Sequence, residues 1–129
     1  MTKQDHIRYW LNEAADDWES AQVNFQNARF NWSLFIGHLT LEKVLKALWI
    51  KNNSENYPPR LHNLLRLAEG GKYEPTEREK LFLDAVNKFN IEARYPDYKE
   101  EFRKRCTKDF AQSYLRQIEE FYQCILKKI

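Results

Sequence analysis

The stretch Trp32-Ser33-Leu34-Phe35-Ile36-Gly37-His38-Leu39-Thr40-Leu41-Glu42-Lys43-Val44-Leu45-Lys46-Ala47-Leu48-Trp49-Ile50-Lys51 decides the fold. Leu34, Gly37, Leu41, Val44, Leu45 and Leu48 recur at the 3.6-residue period and share one helical face. Ile36, Leu39, Ala47 and Ile50 widen that face until most of the circumference is apolar. A helix of this kind is buried by neighbours on several sides or by a partner chain. Gly37, within the main face, would let another helix approach closely, at a propensity cost of about 1 kcal/mol.

Amphipathic helices are expected on both sides of this rod. Before it, Ile7, Leu11, Ala14, Trp18, Ala21, Phe25 and Ala28 form one stripe at spacings of four and three, with Asp16, Asp17 and Glu19 turned to water. Asn31 reads as an N-cap of the central helix, with Phe30 and Phe35 placed for a hydrophobic staple. After it, Asn52 to Pro59 is a polar connection, and Leu61 to Glu69 forms a short helix stopped by Gly70-Gly71. Thr76 and Glu79 match a capping box for a helix carrying Leu81, Phe82, Ala85, Phe89 and Ala93. Arg94 ends that helix, because Pro96 disfavours helix at Tyr95. Lys99 to Arg105 is expected as a helical turn. Thr107 caps a last helix carrying Phe110, Tyr114, Ile118, Phe121 and Ile125. No strand alternation competes, so the expected class is all-α: an antiparallel up-and-down helical bundle of four to five helices.

Composition agrees with this class. The chain has 129 residues, most simply one domain over 1–129, and its three glycines and four prolines are few for a turn-rich β fold. A net charge of +2 lacks the basic excess of a general nucleic-acid binder, which leaves nucleic acid an open question. Cys106 and Cys124 fit no metal spacing and are too few for a disulfide framework; reduced thiols and a cytoplasmic location are expected. The polar N-terminal residues show no signal peptide, and no apolar run approaches the roughly 20 residues that span a bilayer.

Two places carry chemistry. His38, Glu42 and Lys46 fall at i, i+4 and i+8, forming a polar row on the otherwise apolar rod, with Lys43 further round. The plain explanation is a solvated edge with a Glu42–Lys46 pair; the functional one is a groove in which Lys43 and Lys46 meet phosphate oxygens. Arg94 with Tyr95 is the second place. As a structural residue Arg94 would cap its helix and pair with Asp97 or Glu92. As a functional residue its guanidinium would grip a phosphate or carboxylate while Tyr95 stacks on a base. His62 opens the short helix, where a hydrogen bond to helix-start backbone is favoured over proton transfer. No metal site, phosphate loop or nucleophile elbow is present, and no cofactor is implied.

The segments Leu41-Glu42-Lys43-Val44-Leu45-Lys46-Ala47, Pro58-Pro59-Arg60-Leu61-His62-Asn63-Leu64-Leu65 and Ile91-Glu92-Ala93-Arg94-Tyr95-Pro96 occur in this order on a helix-only chain. In this the chain resembles the HEPN domain family, small helical bundles of prokaryotes also described as nucleotidyltransferase substrate-binding subunits. The resemblance implies a homodimer built on the long central helices and pairing with a minimal nucleotidyltransferase. It also implies that many members are ribonuclease toxins of toxin–antitoxin pairs. Nuclease members carry an arginine followed after four to six residues by a histidine. Here Asn31, Trp32 and Ser33 stand at that spacing before His38, Glu55, Asn56 and Tyr57 before His62, and Lys99, Glu100 and Glu101 after Arg94. The family's general acid/base is therefore missing, and no catalytic residue is assigned. The expected function is a non-catalytic binding and interaction module, with Glu42, Lys43, Lys46, His62, Arg94 and Tyr95 around a nucleotide or similar anion. The alternatives are a metal-independent ribonuclease using Arg94 and His62, and a purely structural dimer.

Overall fold

A computed structural model describes all of residues 1–129 as six helices without strands. They are α1 (Lys3–Gln26), α2 (Phe30–Asn52), α3 (Leu64–Gly70), α4 (Glu77–Glu92), α5 (Pro96–Arg105) and α6 (Lys108–Leu126). The all-α class holds, with one helix more than the four to five expected. Pro96 supplies the difference. It occupies a first-turn position where its missing N–H costs nothing, so the expected turn at Lys99 becomes a full helix with Tyr95 as its cap.

The four long helices run up and down. Lys3, at the start of α1, donates through Nζ to the carbonyls of Ile50 and Asn53 at the end of α2, so the two helices are antiparallel. The Phe89 and Phe110 rings meet, as do those of Phe82 and Phe121, which sets α4 antiparallel to α6. Lys51, at the end of α2, donates to the carbonyls of Lys128 and Ile129 just beyond α6, so α2 and α6 point the same way. Gly37 brings these two together. A Cβ built there would lie 2.8 Å from Ile118 Cδ1. The principal core draws on every helix, including Ala14 and Ala21 of α1, Leu41 and Leu45 of α2, Leu67 of α3, Val86 of α4, Phe102 of α5 and Ile118 of α6. α2 is wrapped by the other helices of its own chain, and that accounts for its nearly uniform apolarity without a second copy.

Several local expectations are corrected. α2 begins at Phe30 with Arg29 as a cap that makes no side-chain bond, and Asn31 is buried inside the helix. Ala28, at φ 58°, turns the chain so sharply that Phe30 packs on Phe25 and helix starts at once. The short helix starts at Leu64, capped by the Asn63 side chain. After Gly70-Gly71 it is Lys72, at φ 64°, that takes the left-handed turn. On α4 the buried face is Leu83, Val86, Phe89 and Asn90, while Leu81 is exposed. Asp17 does not face water; it is half-buried against α2. The capping boxes or caps at Thr76 and Thr107 form as expected.

Candidate functional site

The polar row on α2 is held together by contacts from two other parts of the chain, α1 and the loop before α3. Glu42 is its centre. One carboxylate oxygen accepts from Lys46 Nζ at 3.1 Å, and the other accepts from His62 Nδ1 at 2.8 Å. Helical spacing puts Lys46 in reach, while the loop before α3 delivers His62. With Nδ1–H donating to Glu42, the His62 ring turns Nε2 outward, and its side chain is 69% exposed. His62 thus bonds a buried carboxylate, where a helix-start backbone group was expected. Lys46 lies over the Trp10 ring of α1, 5.1 Å from its centre.

His38 lies one turn before Glu42 and is fully enclosed. Its Nε2–H donates to the His62 carbonyl at 2.9 Å, which leaves Nδ1 as a bare acceptor without a partner. Burial pushes its pKa down to about 4, against the pull of Glu42 and the His62 carbonyl. The charges of His62 and Arg94 add to that depression.

Arg94 follows the last turn of α4 and clamps it. Nε donates to the Asn90 carbonyl at 2.9 Å and Nη2 to Asn90 Oδ1 at 2.6 Å. Its guanidinium lies 5.4 Å from the Phe35 ring centre on α2 and 5.7 Å from that of Tyr95. Asp97 and Glu92 are not its partners; Glu92 is held by Arg105 at 2.6 Å. Arg94 and Tyr95 are exposed, and Nη1 points at no acceptor of the chain.

The six residues named from sequence are thus partly united. Glu42, Lys46 and His62 are linked through the Glu42 carboxylate, while Arg94 lies against Tyr95 and Phe35 and makes no hydrogen bond to them. Lys43 stands apart, 2.6 Å from Asp17 Oδ2 in an inter-helix ion pair that lacks hydrogen-bond direction. Both lysines are therefore neutralised by carboxylates of the chain. Sequence reasoning misses Asn90 and Asp17. Asn90 sits four residues before Arg94 and is open to inference from helical spacing; Asp17 meets Lys43 only through tertiary packing. The roomier surface hollows lie elsewhere, about 590 Å³ beside Glu69, Tyr73 and Lys80 and about 460 Å³ between α4 and α6.

A family model of the HEPN domain matches residues 7–129. The chain belongs to the HEPN domain family. No curated protein and no solved structure matched it. In this HEPN domain two of the segments that carried the resemblance meet, Glu42 and Lys46 of the central helix with His62 of the loop before α3, while Arg94 at the end of α4 lies against Phe35 of the central helix. No helix of the HEPN bundle is long and apolar enough to cross a membrane.

Proposed function

We propose that this HEPN domain is a non-catalytic binding and interaction module: a homodimer in the cytoplasm that docks a minimal nucleotidyltransferase and presents a nucleotide or similar anion at Arg94. One observation carries the anion reading. Lys43 and Lys46 are paired internally, whereas Arg94 is exposed, pre-oriented by Asn90 and flanked by the Tyr95 ring. A guanidinium already fixed in place loses little rotamer freedom on meeting a phosphate. Glu42, Lys43 and Lys46 then support the site from behind, keeping His62 and the α1–α2 contact in position. The nucleotidyltransferase partner and a toxin–antitoxin setting rest on the family alone.

The test is thermal unfolding with ATP at near-millimolar concentration. A site with a Kd near 0.1 mM adds roughly 1.4 kcal/mol at about ten times that concentration, visible as a rise in melting temperature. Arg94→Ala should abolish the rise, and a wild-type protein indifferent to ATP would refute the anion reading. Affinity capture from the native host that recovers no nucleotidyltransferase would refute the docking reading.

The Glu42–His62 pair favours a second reading. A carboxylate that orients a histidine and turns its outer nitrogen to solvent suits a general base for a ribose 2′-hydroxyl, with Arg94 holding the phosphate. RNA cleavage by the purified protein that disappears in His62→Gln would favour that ribonuclease over the binding module.

A further inference from the structure

The outward face of α4 is symmetric in spacing about Val86. Leu81, Asp84, Lys88 and Ile91 follow at spacings of three, four and three, opposite the buried Leu83, Val86 and Asn90. Leu81 is 75% exposed and Ile91 50%. Counted from Val86, Leu81 and Ile91 lie five residues away on either side, and Asp84 and Lys88 lie two. Asp84 and Lys88 approach each other only to 3.8 Å and are both mainly exposed, so each charge is open to another partner. Beside Ile91 is a mostly apolar hollow of about 260 Å³, lined by Lys88, Ile91, Glu92 and Tyr98.

A second copy laid antiparallel across this face, with the two-fold axis at Val86, sets Leu81 against Ile91 of the second copy. It also sets Asp84 against Lys88 of the second copy, and symmetry repeats both contacts. We infer that α4 is the self-complementary face through which two copies of this chain pair, Leu81 of each entering the hollow beside Ile91 and Tyr98 of the other. The inference rests on the homodimer in the proposed function and gives it a surface. The half-exposed side of α2 is the weaker choice, because Lys99 already covers Trp32 and Arg94 already covers Phe35. Nothing comparable covers Leu81.

Sedimentation velocity at tens of micromolar tests this, with circular dichroism to show that each variant folds. The wild type should be a dimer and Leu81→Glu a monomer. Asp84→Lys and Lys88→Asp should each weaken association at least about tenfold through like-charge contacts across the axis. The double variant Asp84→Lys/Lys88→Asp should regain most of the affinity, because the crosswise pairs re-form with signs exchanged. A wild type that stays monomeric overturns both this face and the homodimer reading. A dimer that survives Leu81→Glu but dissociates in Leu39→Glu overturns the α4 face alone and moves the contact to α2. No recovery in the double variant overturns the crosswise register. ATP binding by the Leu81→Glu monomer reports on the anion site independently of all these outcomes.

Discussion

His38 shows how one enclosed side chain ties the site to stability. In the unfolded chain it gains its proton near the ordinary value of 6.5, whereas in the fold burial keeps it neutral down to about 4. Between those values the unfolded chain binds the additional proton, so acidification favours unfolding. The stability present above pH 6.5 should fall as pH approaches 4, by roughly 3 kcal/mol at most from this residue. Glu42, His62 and Arg94 face the same spot, so the comparison needs a variant. Urea unfolding of wild type and His38→Gln at pH 7 and pH 4.5 should show a smaller loss in the variant, since glutamine does not titrate. Equal losses would show that His38 does not govern the acid limb. At this scale the sequence is half legible. Helical spacing alone puts His38, Glu42 and Lys46 on one face. Nothing in spacing reveals that a loop brings His62 to Glu42 or that α1 offers Asp17 to Lys43, because those contacts depend on how helices pack.

Whole helices are easier to read than their rotation. α2 declares itself because an apolar stripe that widens round the cylinder has few homes other than the centre of a bundle. For α4 the expected face and the buried one differ by part of a turn. Leu81, Phe82 and Ala85 make as periodic a stripe as Leu83, Val86 and Asn90, and only the packing against α2 and α3 selects between them. The outcome leaves Leu81 outside and Asn90 inside, where it orients Arg94. α2 carries the prediction for this scale, at Gly37. A methyl there would meet the end of the Ile118 side chain at 2.8 Å, with the next atoms at 3.7 and 3.8 Å. Ile118 Cδ1 can swing aside, and alanine gains about 1 kcal/mol of helix propensity over glycine, so Gly37→Ala should stay within about 1 kcal/mol of wild type. Leucine has no such escape between α2 and α6. Gly37→Leu should cost at least about 2 kcal/mol, because overpacking forces the two helices apart. Thermal unfolding of the two variants checks this, and a tolerated leucine would show that α2 and α6 are not in close contact.

For the molecule as a whole, the question is whether six helices melt as one. Every helix places at least one residue in the principal core, and even α5, otherwise polar, is anchored by the enclosed Phe102 against Phe89 and by Arg105 on Glu92. Lys3 and Lys51 bind the carbonyls of distant segments, joining the start of α1 and the end of α6 to the last turn of α2. With α2 touching nearly every neighbour, loss of any long helix strips the central rod of its cover. Unfolding should therefore be cooperative, with no stable partial bundle. Trp10, Trp18, Trp32 and Trp49 sample α1 and both ends of α2, so their fluorescence reports packing around the rod, while far-UV circular dichroism reports helix throughout. The two denaturant transitions should coincide at a fixed protein concentration. Both midpoints should rise together with concentration if two copies pair, because mass action then stabilises the folded dimer. Transitions that separate at fixed concentration would mark part of the bundle as melting on its own and break the single-core account.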